Sequence, residues 1–131
     1  MDIIKGLDGW FHERLQSLPH RPETIAYVAG VMKALSRPGA GDDMSRQSIV
    51  LAYAAAKNSG DFAAFQRLGD WVLWVDCILP GAIVDEKALV ESIGRLSYYT
   101  CNRMLRGQWI VYEELADELP NIAVHVQRFF V

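Results

Sequence analysis

The chain has 131 residues, 51% of them hydrophobic and 22% charged, with a net charge of -3. That length buries roughly two-thirds of the surface an unfolded chain exposes, so a single domain is expected to be stable without metal or disulfides. The charge balance argues against a phosphate-backbone binder, and the apolar excess points to a partner covering part of the surface.

Three further readings concern compartment. The cysteines, Cys77 and Cys101, fall in apolar helical patterns without framework spacing, which suits reduced thiols and a cytoplasmic setting. The opening "MDIIKGLDGWFHERL" lacks the basic-then-apolar order of a secretory signal. The longest strongly apolar stretch, Trp71 to Leu79, spans about 13 Å as a helix against the ~30 Å of a bilayer core, so no membrane association is expected.

In chain order, Ile4, Leu7, Phe11, Leu15 and Leu18 recur at threes and fours, predicting a helix from about Asp2 to Ser17 that stops at Pro19. Pro22 and Glu23 suit the start of a second helix, with Ile25, Val28, Met32 and Leu35 as its stripe. The segment "RPGAGDD" is a loop in which Asp42 or Asp43 can cap a third helix, about Met44 to Lys57. That helix is apolar on most sides and is expected to be central. Gly60 and Asp61 divide it from a fourth, which runs to Pro80 and Gly81.

Asp85 then caps a fifth helix to about Arg106. Its inner face gathers Leu89, Val90, Ile93, Leu96, Ser97, Thr100, Cys101 and Met104. After Gly107, "WIVYEELADEL" predicts a sixth helix. The tail "NIAVHVQRFFV" reads as a seventh capped by Asn121, in preference to a strand that would have to pair with a second copy. The expected fold is all-α, a single-domain bundle of six to seven helices.

Within the fourth segment, "GDWVLWVDCILPG" places Asp76 in the middle of a broad apolar arc, while Gln66, Arg67 and Asp70 share the opposite side as solvated groups. A buried carboxylate must be paired and hydrogen-bonded, or raise its pKa and sit neutral. Arg103, Tyr53, Tyr98 and Tyr99 are the candidate partners. On that expectation, Asp76→Ala strands the partner and costs roughly 1–5 kcal/mol.

Other chemistry is sparse. His12, His20 and His125 lie in separate segments, read as surface or cap groups, and no metal spacing is present. "GAGDD" lacks the lysine of a phosphate loop. Ser97 to Trp109 mixes aromatics and arginines, but the acidic "YEELADE" follows, so a solvated face is expected and not a base-stacking surface. Glu113, Glu114, Asp117 and Glu118 likewise read as a wet face.

No catalytic residue and no cofactor is expected. The leading expectation is a non-enzymatic interaction domain that forms a homodimer through the fourth helix or the tail "RFFV". The alternative is a small-molecule pocket or enzyme between the fourth and fifth helices, lined by Trp71, Trp74, Tyr98 and Tyr99, with Asp76 as polar anchor and Arg103 at its edge.

Overall fold

A computed structural model describes residues 15–40, 48–78 and 87–128. Among them are five helices and no strand: α1 (Pro22–Leu35), α2 (Ile49–Ser59), α3 (Phe62–Ile78), α4 (Lys87–Met104) and α5 (Ile110–Gln127). The all-α expectation therefore holds, with fewer helices than the six to seven expected. Most of the predicted first helix lies outside the described residues, as do Asp42, Asp43, Asp85 and the Phe129–Val131 end of the tail.

The missing helix count has a second cause at Pro120. The predicted sixth and seventh helices are one, because α5 runs through Pro120 without stopping. A proline inside a helix removes the N–H that would bond the carbonyl four residues earlier, here Ala116. Arg95 of α4 supplies the replacement: its Nε–H donates to the Ala116 carbonyl at 2.7 Å. The neighbouring helix thus satisfies the acceptor that the proline leaves free.

Helices α3, α4 and α5 form the centre. Asp76 of α3 faces Lys87 on α4, while Tyr98 reaches Asp70, so the two helices run antiparallel. Gln66 bonds Tyr112, and the Gln127 side chain donates to the Asp76 carbonyl at 2.6 Å, so α3 and α5 run parallel. Close approach is built on two glycines. A Cβ on Gly94 of α4 would stand 2.5 Å from Val72 Cγ1 of α3 and 3.2 Å from Leu119 Cδ1 of α5. One on Gly69 would stand 2.8 Å from the Tyr98 ring. Contacts below 3.0 Å essentially never occur at a real Cβ, so α3 and α4 meet where side chains are absent, with Leu119 of α5 close against the same point.

Gly94 also accounts for a rotation of α4. Its buried residues are Val90, Ile93, Gly94, Ser97, Tyr98 and Cys101, whereas Leu89, Leu96 and Met104, expected inside, are exposed. Turning the helix to seat Gly94 and Tyr98 moves the inward face by about 60° at 100° per residue.

The two outer helices pack on this trio. In α1 the stripe of Ile25, Val28 and Met32 is buried as expected. The entry to α1 is tied to α5 by the Arg21 N–H, which donates to Glu114 Oε1 at 3.1 Å. Gly60 ends α2 in the left-handed conformation, φ 62°, and Asp61 Oδ1 accepts the Ala63 N–H at the start of α3. The central place expected for α2 is not found. Val50 and Leu51 are exposed, and only Ile49, Ala52 and Ala56 are buried. Its alanines are too small to fill a two-sided core position, so α2 covers the bundle from one side only.

Candidate functional site

The six residues expected to form one pocket are distributed among separate environments. Asp76 is sealed from solvent at the end of α3, at 0% exposure. Tyr98 is equally buried, but its hydroxyl donates to Asp70 at 2.8 Å and not to Asp76. Trp71 and Trp74 are half-buried against the core. Tyr99 is exposed and lines a surface groove, and Arg103 is exposed one turn further along.

Asp76 is thus buried as its sequence surroundings imply, but its expected hydrogen bond is not found. Neither carboxylate oxygen has a hydrogen-bond donor among the described residues. The nearby cation is Lys87, in place of the expected Arg103; its Nζ stands 4.0 Å from Asp76 Oδ1 and 3.9 Å from Glu91 Oε1. An ammonium at that separation, on a side chain that is 58% exposed, returns little of the desolvation cost. Burial, and then the adjacent Glu91 carboxylate, push the Asp76 acid up to about 7, with Lys87 pulling weakly the other way.

The networked carboxylate of α3 is instead Asp70, a residue the sequence assigns to solvent together with Gln66. Asp70 Oδ1 accepts the Tyr27 hydroxyl at 2.6 Å and the Tyr98 hydroxyl at 2.8 Å. One turn earlier, Gln66 Nε2 donates to the Tyr112 hydroxyl at 2.8 Å. Three helices, α1, α4 and α5, therefore send a tyrosine to the polar edge of α3.

Rings close this cluster by edge-to-face packing, with Tyr27 against Tyr112 at 5.5 Å and Trp109 against Tyr112 at 5.4 Å. Burial pushes the Asp70 acid up to about 6 even though the two tyrosyl donors oppose it. Tyr27 and Tyr98 are raised above the ordinary phenol range, first by burial and then by the charge of Asp70. Both phenols therefore keep their protons and act as donors. What the arrangement does chemically is join α1 and α4 to α3 through one acceptor, with α5 tied to the same edge of α3 through Gln66 and Tyr112.

Two other residue groups differ from expectation. The His20 side chain is only 7% exposed and stands 4.0 Å from Glu114 Oε1, so it is an interior group and not a surface one. Glu114 itself links α5 to the start of α1, as described above, while Glu113 and Asp117 are exposed as expected. Cys77 and Cys101 are unbridged and buried. Burial pushes Cys101 up to about 12 and Cys77 well above its ordinary value, which keeps both as inert thiols.

A surface feature remains between α4 and α5: a shallow groove of about 450 Å³, lined by Ser92, Arg95, Leu96, Tyr99, Ala116 and Asp117. Of its lining residues Leu96 is exposed by 47% and Tyr99 by 51%, and Leu89, further along α4, is exposed by 42%. Among the described residues no large apolar side chain of α3 is fully exposed, while Trp71, Trp74 and Ile78 are half-buried. No helix among them is long and apolar enough to cross a membrane.

Comparison with known proteins yields no match to a family model, to a curated protein or to a solved structure.

Proposed function

We propose that this chain is a helical interaction domain that works by self-association, with the α4–α5 groove as the contact face. The row Leu89, Leu96 and Tyr99 carries the reading. These side chains are spaced seven and three residues apart on one helix and extend over about 15 Å. Polar α4 positions would serve solubility better, and three large apolar groups in a row on one face mark a surface that a partner covers.

A second copy is the occupant that suits the charges. The α4 side of the groove carries Arg95, with Arg103 beyond it, and the α5 side carries Asp117, with Glu113 one turn before it. A two-fold axis that lays α4 of one copy across the groove of the other sets basic against acidic side chains twice over.

Sedimentation of the wild-type chain at tens of micromolar tests this. A species of twice the 14.7 kDa chain mass is expected, and Leu96→Asp should weaken the association at least tenfold without unfolding the exposed site. Wild-type chain that sediments only at 14.7 kDa overturns the proposal.

A further inference from the structure

We propose that Asp76, Glu91 and Lys87 form a proton-operated latch that fastens the end of α3 to the first turns of α4. The argument begins with counting charge. One ammonium, Lys87 Nζ, faces two carboxyl groups at 4.0 and 3.9 Å. With one proton held between the two acids the trio is neutral, and the protonated member can donate to the other. With that proton gone, the trio carries one net negative charge, and Asp76, at 0% exposure with no donor to either oxygen among the described residues, must bear its share inside the protein.

The backbone at Asp76 is held from a second helix. Gln127 of α5 grips the Asp76 carbonyl at 2.6 Å, and a neutral amide offers the carboxylate no compensating charge. On α3 itself the adjoining titratable group is the Cys77 thiol, raised by burial and by Asp76, which stays protonated over the same range. Among the described residues the proton balance at this corner therefore rests on Asp76, Glu91 and Lys87. Lys87 is exposed, so water reaches the cluster from its side when the turn loosens.

The direction of the response follows from linkage. The folded chain holds the Asp76 proton to about pH 7, whereas an unfolded chain releases it near 3.8. The folded state binds more protons between those values, so the latch is fully closed at low pH and is lost as pH rises through about 7. A midpoint there implies that the melting temperature falls by roughly 5 °C between pH 6 and 8 on this account.

Carbon-detected NMR of the carboxyl groups in the wild-type chain, with melts of wild type and Asp76→Asn across the same pH range, provides the test. Asp76 should titrate near neutrality. Glu91→Gln should lower its midpoint and Lys87→Met should raise it, since each removes the charge that sets it. Asp76→Asn keeps the neutral shape and a donor toward Glu91, and should lose most of the fall in melting temperature, leaving the smaller part that Asp70, raised to about 6, contributes in both chains. A wild-type Asp76 that titrates near 4, a midpoint indifferent to both neighbours, or parallel melting curves for wild type and Asp76→Asn would each overturn the latch. If Asp76→Asn does not fold, the wild-type titration decides the matter alone. None of these readouts depends on self-association.

Discussion

Asp70 and Asp76 lie on the same helix, less than two turns apart, and the fold treats them in opposite ways. Asp70 is partly exposed and is met by two tyrosyl donors on one oxygen. Asp76 is sealed and is met by none among the described residues. Burial raises both acids, but the two tyrosyl donors pull Asp70 back down, whereas the neighbouring Glu91 carboxylate pushes Asp76 further up and only Lys87 opposes it. The cost of an interior carboxylate is set by the hydrogen bonds that meet it, and not by the hydrophobicity of the residues beside it in sequence.

The largest expected effect tests that contrast directly. Asp70→Ala leaves the buried Tyr98 hydroxyl and the Tyr27 hydroxyl without their acceptor, at about 1–3 kcal/mol each, so the variant should lose about 2–5 kcal/mol in denaturant melts. Asp70→Asn retains the Oδ1 acceptor and removes the charge, and should cost far less. Asp76→Asn strands no donor, and at pH 5 it should melt within about 1 kcal/mol of wild type. If the ranking is reversed, with Asp76→Asn the more damaging, the comparison between the two acids fails.

How much of this was legible beforehand differs from helix to helix. The stripes of α1 and α3 follow directly from apolar spacing, and the burial of Asp76 follows from its flanking residues. The role of Asp70 does not. It shares a polar sector with Gln66 and Arg67, and its donors are 43 and 28 residues away in the chain. Periodicity describes one helix at a time, whereas the tyrosine cluster is a property of four helices meeting. The rotation of α4 has the same origin: Leu89 and Leu96 score as core by hydropathy, but Gly94 decides which face can come close to Val72. Pro120 reads as a helix end because its compensation, Arg95, belongs to another element. A signal for the cluster was available in the number of tyrosines at helix-stripe edges, each with a hydroxyl that needs a partner when buried.

An intermediate effect sharpens the comparison by moving one acid toward the other. Tyr98→Phe takes one of the two donors from Asp70 while keeping the ring that packs on Gly69, and should cost about 1–2 kcal/mol. The tyrosyl hydrogen bonds lower the Asp70 acid, so removing one should raise its midpoint above the present value of about 6, toward that of Asp76. Carboxyl NMR of the variant reads this shift. An Asp70 midpoint unchanged by Tyr98→Phe would mean that the hydroxyl at 2.8 Å does not stabilise the charge.

The smallest expected effect extends the same rule from carboxylates to a backbone carbonyl. Ala116 is left without its helical donor by Pro120, and the Arg95 Nε–H replaces it at 2.7 Å. Arg95→Ala should therefore cost about 1 kcal/mol, modest because water can reach a partly buried carbonyl. The informative measurement is the double-mutant cycle. Pro120→Ala returns an N–H to position 120, so Ala116 can be satisfied within α5 and the guanidinium becomes dispensable. Arg95→Ala in that background should then cost close to nothing, and the two changes should be non-additive by most of the single-variant loss. Additive costs would show that Arg95 holds α4 to α5 by its packing along the groove, and that the carbonyl freed by the proline contributes little to the demand for a donor.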